Sequence, residues 1–200
     1  MTETRGFPKL TPVTAPPELD AFAGAVRRLQ DLAVSTAPDS YTWRSATAQI
    51  EEICDALERF AVPDGQAPAG RAISLPGLGH PLMPPWTLTS SDEGGVTMEG
   101  HFTRFHVGGN MAVHGGVVPL FYDWHFGMIV SAAGRPISRT AFLHVDYRAV
   151  TPIDTPLISR GRIDRLDGRK AFISATMTDS DGTVLSEATG LMIKLLPHQP

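Results

Sequence analysis

Apolar positions along the chain change rhythm twice. Leu19, Phe22, Val26, Leu29 and Ala33 recur at steps of three and four. That spacing puts them on one face of a helix, which Pro38 and Asp39 end. Trp43, Ala46, Ile50, Ile53, Leu57 and Phe60 repeat the pattern in a second helix, stopped by Pro63 and Asp64-Gly65. Both stripes need a covering surface: each other, the main domain or a second subunit. Residues 63–85 are dense in proline and glycine and read as a connector or a loop laid over the core.

From Trp86 the rhythm is that of strands. Trp86–Ser90 and Val96–His106 flank the turn cluster Asp92-Glu93-Gly94-Gly95. A glycine-studded segment, Val107-Gly108-Gly109-Asn110, precedes His114-Gly115-Gly116, which opens an apolar run to about Ser131. Val117, Leu120, Phe121, Trp124, Met128 and Ile129 point all round that helix, so it reads as buried on most sides. Arg139–Ala149 alternates Ala141, Leu143, Val145 and Tyr147 against Phe142, His144, Asp146 and Arg148. Leu157–Leu166 and Lys170–Thr178 flank Asp167-Gly168, and Val184–Leu195 follows Asp181-Gly182; both dipeptides signal hairpins. Two strands, a buried helix and four strands joined by tight turns predict an α+β fold, one helix against one antiparallel sheet. The predicted organisation is a flexible N-terminal arm (1–16), a helical extension (17–62), a Pro/Gly-rich connector (63–85) and a main domain (86–200).

Two hundred residues suffice for one ordinary core. A net charge of −4 argues against a general nucleic-acid binder. Acidic residues predominate in the first half and basic ones in the second. The basic excess fits either a phosphorylated ligand or a solvated strand surface. The single cysteine, Cys54, excludes an intrachain disulfide framework and reads as a buried inert thiol. No run of about 18 apolar residues suggests a membrane span. The N-terminus lacks the marks of a signal peptide, so a cytoplasmic protein is expected. His101, His106, His114, His125 and His144 show no metal-site spacing, and no metal is expected. Gly77-Leu78-Gly79 is not a dinucleotide fingerprint, and no Gly-x-Ser-x-Gly elbow is present.

A helix N-terminus presents unpaired N–H groups, and glycines let a ligand approach them. Gly115 and Gly116 therefore either bind an anion or polarise a carbonyl, or form a plain loop before the helix. Asp123 lies among Phe121, Tyr122, Trp124 and Phe126. A carboxylate buried there is costly unless paired or functional, and burial would raise its pKa toward general-base use. The alternative is a structural Asp bonded to a neighbouring strand. Asp123 stands about 10 Å beyond Gly116 along the helix axis, at about 1.5 Å per residue. One small reacting group can hardly touch both. Two such helices packed antiparallel across a two-fold would bring them together, which predicts a dimer with shared sites.

His114-Gly115-Gly116-x6-Asp123, followed by Thr140 and Val145-Asp146-Tyr147 on the next strand, resembles the phenylacetic-acid-degradation type of hot-dog acyl-CoA thioesterases. It is also similar to the mammalian thioesterase-superfamily-member group. The resemblance spans roughly residues 86–195. It implies a hot-dog fold, an edge-to-edge homodimer or a dimer of dimers, and acyl-CoA bound at the subunit interface. It implies no cofactor, CoA being part of the substrate. The amide of Gly115 or Gly116 would polarise the carbonyl, with His114 shaping the loop. Asp123 would activate water or attack directly, and Thr140 would hold the water. The family often has Asn where Gly108 stands, so Asn110 or His106 is expected to contact the substrate instead. Val150 and Asp154 also replace a usual proline and glycine. Trp124, with Phe121 and Phe142, is expected to line the acyl pocket. A binding module without turnover is the competing reading. A hot-dog hydratase ranks below both, for want of that branch's Asp and His pair.

Overall fold

The computed structural model describes residues 12–63, 65–92 and 95–196. Most of the expected arm, residues 1–11, lies outside them, as do Asp64, Glu93 and Gly94 of two expected turns. Two helices come first, α1 (Pro17–Ser35) and α2 (Ser40–Glu58). Asp39 caps α2, its carboxylate accepting from the Thr42 amide at 2.7 Å. Two short strands follow, β1 (Thr87–Asp92) and β2 (Gly95–Gly100). A small hairpin, β3 (Val107–Gly109) and β4 (Ala112–Val113), leads into α3 (Val117–Ala132). Four long strands complete the chain: β5 (Ser138–Tyr147), β6 (Leu157–Asp167), β7 (Lys170–Asp179) and β8 (Val184–Lys194).

Six strands form one antiparallel sheet in the order β1-β2-β6-β7-β8-β5, with α3 laid across β2, β5, β6, β7 and β8. This is the α+β arrangement expected. The glycines of the predicted Asp-Gly turns, Gly168 (φ 55°) and Gly182 (φ 84°), supply the left-handed backbone those hairpins require. Every second residue of β7 points at the helix: Ala171, Ile173, Ala175 and Met177 are buried. They meet Val118, Phe121, Tyr122, Phe126, Ile129 and Val130 of α3 in one core with Trp86, Met98 and Phe102. Gly161 and Gly190 let the helix settle. A Cβ on Gly161 would lie 2.6 Å from Ile129, and one on Gly190 would lie 2.6 Å from the Phe126 ring.

Several expectations change. The second strand stops at Gly100, whose Cα must pass the Trp86 ring; a Cβ there would sit 2.5 Å from it. The chain then makes a 3-10 turn, Arg104–His106, closed by reciprocal bonds between Thr103 and His106. α3 is buried on most sides, as expected, but keeps one open stripe that carries Asp123. Its outward stripe, Gly116, Leu120, Asp123 and Gly127, is exposed or half-buried, and Asp123 is exposed. Phe121, Tyr122 and Phe126 turn inward while Asp123 turns out, because sequence neighbours on a helix sit about 100° apart. α1 packs on the main domain through Ala23, with Arg27 donating to the Pro76 carbonyl at 2.8 Å and Asp31 accepting from the Phe105 amide at 2.8 Å. No residue of α2 is buried, and Cys54 is exposed rather than buried.

Candidate active site

The turn before α3 is held from both sides. The His114 amide donates to the His106 carbonyl at 2.8 Å, and the Val117 amide donates to the His114 carbonyl at 2.8 Å. The Gly116 amide donates to His114 Nδ1 at 3.0 Å. Tyr147, at the end of β5, donates its hydroxyl to the Gly115 carbonyl at 2.5 Å. These bonds orient the peptide planes of the turn. Among the described residues the Gly115 amide has no partner, so one donor of the pair is committed and the other is open.

Neither glycine is required by backbone conformation, since neither has a positive φ. A Cβ on Gly115 would meet only the Tyr147 hydroxyl at 3.8 Å, and one on Gly116 only the His114 ring at 3.3 Å. At Gly116 a side chain would crowd the His114 ring by a few tenths of an ångström, whereas at Gly115 the backbone faces open space.

Asp123 lies two turns along the same stripe. Its Oδ1 accepts a hydrogen bond from the Thr140 hydroxyl at 2.5 Å, and the same hydroxyl lies 3.1 Å from Met192 Sδ. A β-bulge makes this contact. The pairing of β5 with β8 slips between Thr140 and Phe142, so Ala141 is an extra residue. Strict alternation would put Thr140 on the face opposite Tyr147. The bulge resets the phase, and Thr140 and Tyr147 both face α3.

The open cleft at the turn has a volume of about 450 Å³. Gly115, Val118, Tyr147, Arg148 and Val150 are among its lining residues, and Asp123 is not. Two other clefts, about 510 and 550 Å³, lie on the outer sheet face around Arg160 and Arg162 and beside His101 and Asp154. Neither touches the His114–Gly116 turn or Asp123.

The sequence-predicted residues thus fall into two groups in one chain: His114, Gly115 and Gly116 in the turn, and Asp123 with Thr140. The other three stand apart. Asn110 sits at the tip of the β3–β4 hairpin in a left-handed conformation (φ 49°) and is exposed. His106 is buried, with its Nδ1 facing the Thr103 amide at 2.9 Å; burial lowers its pKa. It reaches the turn only through its backbone carbonyl. Trp124 packs edge-on to Phe121, and its buried indole N–H has no partner. Gly108 lies against the turn itself, where a Cβ would be 2.7 Å from His114 Cα. That closeness excludes an asparagine there in the present backbone. Tyr147 was the residue the sequence undervalued. Its signals are an aromatic hydroxyl ending a strand and its place in the Val145-Asp146-Tyr147 stretch that carries the resemblance.

Comparison with known proteins bears on this same stretch. The sequence model of the thioesterase superfamily matches residues 110–186. The acyl-coenzyme A thioesterase THEM4 of Rattus norvegicus is 35% identical over 89 residues, covering 44% of this chain and 38% of the relative. The chain therefore spans well under half the length of that curated relative. The crystal structure of a thioesterase superfamily protein superposes with a TM-score of 0.77 at 26% identity, covering 92% of this chain and all of that one. A hypothetical thioesterase of Streptococcus pneumoniae TIGR4, crystallised with coenzyme A, shares the fold (TM-score 0.51, 18% identity, 54% of this chain and 86% of that one). The expected resemblance to hot-dog thioesterases is shown, and the fold is the hot dog.

Proposed function

We propose that this chain, a hot-dog fold carrying a thioesterase-superfamily segment, hydrolyses an acyl-CoA thioester to a carboxylic acid and CoA. The observation that carries the reading is the pairing of a free Gly115 amide with an outward carboxylate, Asp123, braced by Thr140. In the proposed reaction the Gly115 N–H donates to the thioester carbonyl oxygen, where negative charge grows as the carbonyl becomes tetrahedral. Asp123 takes a proton from water, and the water oxygen bonds to the carbonyl carbon. The C–S bond then breaks, and the thiolate leaves with that proton. The step draws on water and the chain's own groups, and we propose no cofactor.

The site is proposed to be shared. The single-chain cleft contains Gly115 and lacks Asp123. Gly115 stands just before α3 and Asp123 on its exposed stripe, about 12 Å apart along the axis at about 1.5 Å per residue. A second copy with its α3 antiparallel would bring its own Asp123 to this Gly115.

Replacing Asp123 by Asn keeps the shape and removes the base. Thiol release from a panel of acyl-CoAs is expected to fall by about a hundredfold or more in the folded variant, the scale of general-base catalysis. Undiminished turnover would sink the mechanism. The second reading, acyl-thioester binding without turnover, draws support from Gly108, which offers the reacting centre no side-chain amide. Tight binding by the wild-type chain with no free thiol would favour it.

A further inference from the structure

Among the described residues, α2 is a long helix with no residue buried against its own chain. Its seam residues Trp43, Ile50, Ile53 and Leu57 are exposed, from 37% at Ile50 to 53% at Ile53, and Phe60, in the turn just past its end, is 67% exposed. Including Ala46, their spacing is a strict alternation of three and four, the narrow seam of helices that pair with helices. A lone helix of this length is marginal in water.

The charge pattern narrows the occupant. Arg44, Glu51, Glu52, Asp55 and Glu58 lie away from the seam, while the positions flanking it, Thr42, Thr47, Gln49, Cys54 and Ala56, are uncharged. Nothing there repels an identical helix. The polar face is mainly acidic, which disfavours an anionic lipid surface.

The seam is also self-complementary when reversed. With a two-fold between Ile50 and Ile53, Ile50 meets the partner's Ile53 and Ala46 meets the partner's Leu57, while Trp43 extends toward the turn that follows the partner's helix. Small faces large in the second layer, and an aromatic ring stands beyond it at each end. We propose that α2 is a self-association element that pairs antiparallel with α2 of a second copy of this chain. This does not rest on the thioesterase reading.

The test uses the single native cysteine in the full chain. The two-fold places Thr47 and the partner's Cys54 on one flank, offset by about 3 Å along the axis at about 1.5 Å per residue. Within one chain the same two positions are about 10 Å apart on that rise, too far for an intrachain disulfide. Mild oxidation of dilute Thr47→Cys protein should shift it to a covalent dimer on a non-reducing gel. Gln49→Cys, on the opposite flank, should not shift, nor should Thr47→Cys combined with Cys54→Ser. Adding Ile50→Glu and Ile53→Glu to Thr47→Cys should abolish the link while circular dichroism retains the sheet. No covalent dimer from Thr47→Cys, or equal linking by Gln49→Cys, overturns the proposal. Thiol release measured on the same reduced samples reports separately on the catalytic reading.

Discussion

Thr140 reaches Asp123 with a hydroxyl that donates to a carboxylate, and that direction matters. A donor to an ionised acceptor stabilises the form that accepts a proton from water. Replacing Thr140 by Val removes the donor at nearly constant volume. If Asp123 is the base, kcat should fall about tenfold, the scale of a lost hydrogen bond to a charged group, with little change in melting temperature. Thiol-release kinetics beside a thermal melt check this. At this scale the sequence was legible in type and less so in setting. Asp123 stood out for its aromatic neighbours, yet those neighbours face the core while it faces outward. Adjacency in sequence is not adjacency on a helix. His106 and Asn110 drew attention as stand-ins for a missing side chain. One is spent on a buried turn and the other on a left-handed tip.

Among the elements, hydrophobic rhythm gave the three long helices and the long strands within a few residues, because each carries its apolar residues on one face, whether buried as in β7 or exposed as in α2. The bulge at Ala141 was not legible. It changes which face Thr140 occupies without changing any residue's polarity. Nor did composition reveal why Gly161 and Gly190 sit in central strands. Each takes the place of a side chain that Ile129 or Phe126 now fills. α3 therefore stands at a distance from the sheet set by two absent side chains. Gly190→Val should push Phe126 and lift the helix, costing about 1–3 kcal/mol as overpacking does. Urea unfolding measures it. An unchanged midpoint would mean the helix has slack that the close packing does not suggest.

For the molecule as a whole, His125 ties stability to pH. It is fully buried on the sheet-facing side of α3, with Nδ1 3.0 Å from Ser159 Oγ and Nε2 3.3 Å from the Val96 carbonyl. Burial pushes its pKa down to about 4. The unfolded chain binds this proton below about 6.5, and the folded chain only near 4. Stability from keeping the imidazole neutral is thus fully present above about 6.5 and is lost as pH falls toward 4. The loss is on the order of 3 kcal/mol from the linkage relation. Denaturant titrations at pH 7, 5.5 and 4.5 should show it, and His125→Gln should flatten the slope. A wild-type stability level across that range would contradict the burial argument. Among the described residues no helix is long and apolar enough to cross a membrane.

The strand that braces the candidate site has a single partner in the sheet. β5 is an edge strand, paired only with β8, and its pairs join positions far apart in the chain, from Ser138 with Lys194 to Tyr147 with Ser186. The hairpins β6–β7 and β7–β8 close short loops, whereas β5 must wait for a long one. Thr140 and Tyr147 therefore sit on a strand whose sheet partner is made only when β8 is. During synthesis the turn, the carboxylate and β5 itself all emerge first, so the bracing of the candidate site depends on the last strand of the sheet to be made.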